Sequence, residues 1–559
     1  MISGTGEHSF KSWDGAELFY RSWRPAAPSR QALLLFHRGH EHSGRFDALV
    51  RDLAPDINVF AWDQRGHGRS PGERGTADDF SQIVRDADAF ARHLSRQEGI
   101  PPSEFAVLGH SVGGVLAAAW VHDYAPPVRA LILATPAFRV KLYVPLALPA
   151  LRLKQRLLGR GYVKSYVKAR VLTHDPAQAE AYNADPMIFR QIADNVLIDL
   201  YDLSTRLLED AGAIHAPTLV IAAGSDWVVD VSAQRTFFER LSSPVKQFEL
   251  LPGFYHAIFH ERDRLLPISM VRAFLQRAFH EPPPRPPLET ADRQGYTFDE
   301  YMRLQQARPA RFARLLMKTV GRLSRGIDLG WRSGFDSGLS LDYVYADQAH
   351  GLFDRTYLNS IGWRGIRQRR AHLEARLKFA IEEMRPAVIL DVAAGPGRYV
   401  LETMRGRTDV RAILRDCLPA NVEAGRALAR ELGVTAAVHE LGDAFDRRSL
   451  AAVEPRPNIA IVSGLYELFP DNARVLESLR GIADTLPAGG RLIYTNQLWH
   501  PQIEFIARTL TNRDGRPWIM RRRTQAEMDE LVRIAGFEKI DQDIDRWGIF
   551  TVSTARRCG

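Results

Sequence analysis

Five of the six residues from 282 to 287 are proline, in the stretch HEPPPRPPLETADRQG (280–295). Proline fixes φ and gives up its N–H, so neither a helix interior nor a central strand can cross such a run. It favours extended spacer geometry. A chain of 559 residues is too long for a single core. The run therefore predicts a first domain over 1–280, a proline-rich linker over 281–295 and a second domain after it.

Both sides carry short apolar runs between helix-like segments. The first has ALLLF (32–36), NVFAWD (58–63), FAVLG (105–109), ALILA (130–134) and TLVIAAG (218–224). The second has AVILDVA (387–393), RAILRD (411–416), NIAIVSG (458–464) and RLIYTNQ (491–497). Buried strands alternating with amphipathic helices predict an α/β fold, with a mostly parallel sheet in each domain. Residues 137–215 interrupt the strand pattern, read as helical, and are expected to cap the first domain. Residues 296–380 are a helical connecting segment ahead of a core over 381–559.

With 45% hydrophobic and 25% charged residues the composition is that of ordinary globular protein. The opening MISGTGEHSFKSWDG lacks a basic region followed by an apolar one, and no run of about 18 apolar residues occurs, so neither a secretory signal nor a membrane span is expected. Two cysteines, Cys417 and Cys558, form no metal motif or disulfide framework and fit a reducing cytoplasm. The net charge of +8 is modest for this length. Its basic clusters (151–170, 308–326, 362–378) raise the reading of a nucleic-acid methyltransferase fused to an esterase. No recognised binding module accompanies them, and no nucleic-acid partner is expected.

In FAVLGHSVGGVLAAAW (105–120), a buried strand runs into Gly-His-Ser-Val-Gly and then a small-residue helix. This is G-x-S-x-G in strand–turn–helix context, a nucleophile elbow. Ser111 would stand at the turn, with the N–H of Val112 available to an oxyanion. Asp226 follows the run 218–224, and His256 follows another strand in FELLPGFYHAIFHE (248–261), with Asp230 and His260 as weaker rivals. The order Ser, Asp, His is that of α/β-hydrolases. Three histidines, His37, His40 and His42, crowd HRGHEHSGRF (37–46). Their spacing is a poor ligand pattern, and no metal is assigned.

The motifs HRGHEHSGRF, DQRGHGRS (63–70) and GHSVGG (109–114) resemble those of the monoglyceride lipase and lysophospholipase group of serine α/β-hydrolases, over most of residues 8–280. The resemblance implies Ser111 as nucleophile, His256 as general base, Asp226 as its orienter, and the N–H groups of Gly39 and Val112 as the oxyanion hole. It implies esterase chemistry on monoacylglycerols or lysophospholipids. Arg38 and His40 stand where that group has glycine. If either position needs φ > 0, a side chain there costs about 1 kcal/mol or more. Arg38 would suit a phosphate head group. The basic, apolar segment 140–172 would suit peripheral contact with an anionic inner-membrane surface.

In RPAVILDVAAGPGRYVLETM (385–404) a strand meets an Ala-Gly-Pro-Gly turn. A dinucleotide site would want glycine at position 400, which is Val400. The spacing D-x-A-x-G-x-G instead resembles motif I of class I S-adenosylmethionine-dependent methyltransferases. Residues 289–559 resemble a bacterial methyltransferase family sometimes fused behind an α/β-hydrolase. The resemblance implies a Rossmann-like domain with S-adenosylmethionine as cofactor, held by Asp391, Ala393, Gly395 and Gly397, by Asp416 at the ribose, and by Asp443 and Ala444 at the adenine. The acceptor is unassigned. The aromatic residues Tyr343, Tyr345, Tyr357 and Trp363 read as helix packing ahead of an acceptor pocket. Two functions stand side by side: a bifunctional enzyme on lipid or other small substrates, or a hydrolase whose second half only binds S-adenosylmethionine or a partner.

Overall fold

A computed structural model describes residues 2–53, 56–282 and 284–559, in two compact units that divide between Arg285 and Pro286. In the first unit the strands are β1 (Ile2–Lys11), β2 (Glu17–Pro25), β3 (Ala32–Phe36), β4 (Asn58–Trp62), β5 (Phe105–His110) and β6 (Ala130–Ala134). A small hairpin, β7 (Tyr162–Lys164) and β8 (Gln191–Ala193), precedes β9 (Thr218–Ala223) and β10 (Lys246–Leu251). The main sheet runs β1-β2-β4-β3-β5-β6-β9-β10, parallel from β4 to β10 and antiparallel at the β1-β2-β4 edge.

β3 to β6 and β9 are buried throughout, because helices cover both faces and leave no solvent side to alternate toward. β2 does alternate, and β1 and β2 lack a continuous apolar run, which is why the run-based reading passes over them. The segment 137–215 is not wholly helical as expected. Helices Ala147–Leu158, Pro176–Ala184 and Asp194–Glu209 are joined by the β7–β8 hairpin.

That capping segment is tied to the core by a buried charged cluster. Arg206 on helix Asp194–Glu209 donates to both oxygens of Asp123 at 2.6 and 2.8 Å. His122 meets Asp123 at 2.7 Å through Nδ1 and Asp210 at 2.8 Å through Nε2. Both partners are carboxylates, so both ring nitrogens carry protons. Burial works against that charge, but the two carboxylates raise the His122 pKa above its ordinary value. Burial likewise opposes the charge on Asp123, whose pKa Arg206 and His122 nevertheless hold down to about 2.

The second unit contains β11 (Ala387–Asp391), β12 (Val410–Asp416), β13 (Ala437–Leu441), β14 (Ile459–Val462), β15 (Arg491–Gln497), β16 (Phe537–Ile544) and β17 (Phe550–Arg557). Their order is β13-β12-β11-β14-β15-β17-β16, with only β17 antiparallel to its neighbours. The order reverses between β11 and β14, where an open parallel sheet leaves a crevice beyond its strand ends.

Part of the expected linker belongs to this unit. Leu288–Ala291 is a short helix, Leu288 packs on the core, and Asp292 accepts from the Asn472 N–H at 2.9 Å. Three consecutive buried arginines lock this region to the loop after β14. Arg521 pairs with Glu527 at 2.7 Å, Arg522 bonds the Leu498 carbonyl at 2.7 Å, and Arg523 bonds the Tyr466 and Phe469 carbonyls at 2.7 and 2.8 Å. Among the described residues no helix is long and apolar enough to cross a membrane.

The His122 cluster makes stability depend on pH. A raised histidine pKa stabilises fully below the unfolded value, and that contribution is lost as pH rises through the folded value. A depressed Asp123 stabilises above its unfolded value and is lost as pH falls through about 2. Urea denaturation of the wild type should show stability falling from mildly acidic to alkaline pH, with the slope reduced in His122→Asn. Arg206→Met, which takes the guanidinium away from buried Asp123 and leaves it paired with His122, should cost about 3 kcal/mol.

Candidate active sites

The tight turn after β5 is possible only with glycine. A Cβ on Gly109 would lie 2.1 Å from the Gly113 carbonyl oxygen, and one on Gly113 would lie 2.1 Å from that of Phe36. Ser111, between them, is held at φ 57° and ψ −116°, a backbone few side-chain-bearing residues adopt. The turn sets Ser111 at the head of helix Val112–Tyr124.

Three sequence-predicted residues meet there. His256 Nδ1 lies 2.8 Å from Asp226 Oδ2, and His256 Nε2 lies 2.8 Å from Ser111 Oγ. A carboxylate only accepts, so Nδ1 carries the proton and Nε2 accepts from the serine hydroxyl. All three side chains are buried. Burial would raise the Asp226 pKa, but His256 and the N–H groups of Val228 and Val229, donating at 2.7 and 2.9 Å, hold it below the ordinary carboxylate value. The arrangement can move the Ser111 proton to His256 while Asp226 stays ionised.

The rivals have other work. Asp230 caps helix Val231–Arg240 through the Ser232 N–H at 2.9 Å. His260 is buried beside Arg38 and Glu41, and burial pushes its pKa down to about 3.

Gly39 and Val112 are adjacent, since a Cβ on Gly39 would sit 3.1 Å from Val112 Cγ2. Among the described residues neither N–H donates to a backbone carbonyl, which leaves both for an incoming oxygen. His40 takes φ 71°, so one of the two replaced glycine positions does sit in the left-handed region. Arg38 does not meet the phosphate expectation. Its guanidinium is buried, donates from Nε to Glu41 Oε2 at 3.0 Å and pairs through Nη2 with Oε1. Its charge is matched within the loop.

The crowded histidines also separate. His37 Nδ1 donates to the Arg38 carbonyl at 2.7 Å and Nε2 accepts from the Gln64 N–H at 3.0 Å. His42 accepts from the Gly44 N–H at 3.2 Å and meets Asp185 of the capping segment at 2.9 Å. Asp63 holds the loop against the DQRGHGRS turn by accepting from the N–H groups of Ser43 at 2.6 Å and Arg69 at 2.8 Å.

Two residues that the sequence reading missed hold the base. Thr135, at φ 41°, and His110 both donate to the His256 carbonyl, at 3.1 and 3.2 Å. Both stand at strand ends, the one signal that could have marked them. Ser111, Val112, His256, Gly39 and Arg38 share a cavity of about 140 Å³ with apolar residues of the capping segment, among them Leu142, Val163, Val167 and Leu197.

In the second unit a cavity of about 270 Å³ lies beyond the ends of β11, β12 and β14. Ala393, Gly395, Gly397, Asp416, Asp443 and Ala444 line it, as expected. Asp391 does not. It is fully buried behind the turn, bonded to the Tyr399 hydroxyl and the Ala393 N–H, and burial pushes its pKa up to about 7. Its place is to hold the turn.

Gly395 and Gly397 have φ 55° and 74°, and a Cβ on Gly397 would strike Leu414 at 2.7 Å. Asp416 accepts from the N–H groups of Gly395 and Leu418 at 2.9 Å each and from Asn421 at 3.0 Å. The carboxylates of Asp336, Asp342, Asp416 and Asp443 and the guanidinium groups of Arg369, Arg398, Arg474 and Arg513 line the glycine cradle, which fits a ligand bearing hydroxyls and charged groups of both signs. Gly338, Asp342 and Tyr345, from the one helix Gly338–Ala346 before the core, add to the wall.

Comparison with known proteins agrees with both halves. The family model described as "Serine aminopeptidase, S33" matches residues 27–263, and the one described as "Putative methyltransferase" matches 271–557. "Uncharacterized protein YnbC" of Escherichia coli is 48% identical over 576 aligned residues, covering 99% of this chain and 98% of that one. The monoacylglycerol lipase of Mycolicibacterium smegmatis is 30% identical over 278 residues, 49% of this chain and 99% of its own. Among solved structures, the monoacylglycerol lipase of Paleococcus ferrophilus gives a TM-score of 0.43 at 22% identity, over 47% of this chain and 99% of that one.

A fluorophosphonate probe should label the wild type and leave Ser111→Ala unlabelled. Asp226→Asn should keep the fold by circular dichroism and lose about 10⁴-fold in labelling rate, because the imidazole loses its orienting acceptor.

Proposed function

We propose, for a chain that belongs to the family described as "Putative methyltransferase" and in its first half to the S33 serine hydrolases, that it is a bifunctional enzyme: a serine esterase on monoacylglycerol- or lysophospholipid-like acyl esters and an S-adenosylmethionine-dependent methyltransferase. The observation that carries the first activity is the Ser111–His256–Asp226 line at the foot of an apolar cavity. His256 takes the Ser111 proton as Oγ attacks the ester carbonyl. The N–H groups of Gly39 and Val112 receive the developing oxyanion. The same imidazole returns the proton to the leaving alcohol, and water repeats the sequence on the acyl-serine. The apolar wall suits an acyl chain. The internally paired Arg38 favours a neutral glycerol head over a phosphate.

In the second unit, Gly395 and Gly397 allow close backbone approach, Asp416 suits the ribose hydroxyls, and Asp443 with Ala444 suits the adenine edge. S-adenosylmethionine, when bound, supplies a methyl group carried on a positively charged sulfur.

The protein works at the inner surface of the cytoplasmic membrane in this reading. Helix Ala147–Leu158 and its approach leave Leu146, Leu157 and Leu158 more than 70% exposed beside Arg156 and Arg160. Exposed leucines among basic side chains suit an anionic lipid surface.

Monoacylglycerol hydrolysis should disappear in Ser111→Ala. Calorimetry should register S-adenosylmethionine binding to the wild type, weakened about tenfold or more in Asp416→Ala; no binding to the wild type rejects a methyltransferase. Leu157→Glu with Leu158→Glu should reduce sedimentation with phosphatidylglycerol vesicles while hydrolysis of a water-soluble ester stays unchanged. Equal sedimentation rejects the membrane contact.

A further inference from the structure

A second cavity of the C-terminal unit, about 500 Å³, is not used by the cofactor reading. It shares Asp336, Leu341, Arg369, Gly464 and Leu468 with the smaller cavity, so the two abut. Tyr357 and Trp363 line it, which makes them pocket walls as well as helix packing. Most of its lining is aliphatic or aromatic. Large apolar residues at its edge remain open to solvent: Leu352 is 76% exposed, Phe353 50% and Phe505 45%. A volume of this size suits a whole small-molecule ligand, and such a wall suits a long hydrocarbon.

Two carboxylates, Asp336 and Glu467, line it, but its buried polar atoms without a partner are all of one kind. Arg369 Nε, Gln497 Nε2 and Trp518 Nε1 are buried nitrogens with no hydrogen-bond partner, on residues 2%, 2% and 7% exposed. All three are N–H donors. His500 adds a fourth, because its Nδ1 accepts from the Gln502 N–H at 3.0 Å and leaves the proton on Nε2. Among the described lining residues, no buried side-chain acceptor lacks a partner. A buried donor without a partner is costly, so the missing partner is a group that only accepts. Glu467 stands 3.8 Å from Arg369 Nη1 and offsets part of the positive charge, which suits one negative charge better than two.

We propose that this cavity binds a long-chain aliphatic carboxylate as the methyl acceptor, an inference that rests on the S-adenosylmethionine reading of the adjoining cavity. Its head lies toward Arg369 and Gln497 and its chain runs toward Leu352 and Phe353. A carboxylate oxygen forms the new bond to the methyl carbon while that carbon's bond to sulfur breaks, the electron pair remaining on sulfur. The product is a methyl ester, and no proton changes hands, so the step needs no base. Hydrolysis of a monoacylglycerol releases this class of compound.

The test titrates the full chain calorimetrically with octanoate, decanoate, dodecanoate, dodecanol and dodecyl phosphate. Carboxylate affinity should rise about fourfold per methylene. Dodecanol and dodecyl phosphate should bind at least about tenfold more weakly than dodecanoate. Phe353→Asp, at the exposed edge, and Gln497→Leu should each weaken dodecanoate about tenfold, with S-adenosylmethionine affinity and ester hydrolysis unchanged. With S-adenosylmethionine added, mass spectrometry should find methyl dodecanoate. If S-adenosylmethionine itself fails to bind, the underlying reading falls. If it binds, the inference is overturned by any of three results: dodecanol or dodecyl phosphate binding as well as dodecanoate, both variants binding it normally, or no methyl ester forming.

Discussion

The first unit depends on how closely a strand and a helix can approach. The Phe36 carbonyl oxygen lies where a Cβ of residue 113 would be, and the Gly113 oxygen lies where one of residue 109 would be. Removing two methyl groups lets helix Val112–Tyr124 press against the ends of β3 and β5. That contact fixes Ser111 in its unusual backbone and sets Val112 beside Gly39. The base and its carboxylate then need only arrive on loops from neighbouring strands. The second unit uses the same economy after β11, where glycines at 395 and 397 open a cradle beside Asp416. In both sheets the candidate site residues gather beyond the carboxyl ends of parallel strands.

The interior treats charge strictly. The Arg38–Glu41 pair, the His122 cluster and the run Arg521–Arg523 are all buried, and each cation finds carboxylates or carbonyls in place. Pairs of this kind add little net stability but are costly to break, so they specify one arrangement of the loops they join. Around the larger C-terminal cavity the buried nitrogens of Arg369, Gln497 and Trp518 have no such partner.

The sequence made the catalytic residues readable because their signals are local. G-x-S-x-G fixes a turn by sterics alone, and Asp226 and His256 follow buried strands in a set order. The same holds for Gly395, Gly397 and Asp416. Asp391 misled because its position in the motif says nothing of direction: its carboxylate turns inward to Tyr399. Arg38 misled for a related reason, since its partner Glu41 was three residues away but unweighed. Strands β1, β2 and β16 went unread because they are only partly buried and carry no continuous apolar run. Thr135, His110 and the helical wall of Gly338, Asp342 and Tyr345 are assembled only by tertiary folding, and no spacing announces them.

The loop between β3 and its short helix carries one more consequence. His42 reaches Asp185, and burial depresses the His40 pKa while hydrogen bonds to the Phe189 and Gln191 backbone oppose that fall. Residues 185–191 belong to the segment over the cavity, and Gly39 belongs to the loop that faces Ser111. The wall over the cavity and the loop that aims the Gly39 N–H are therefore held by the same few contacts.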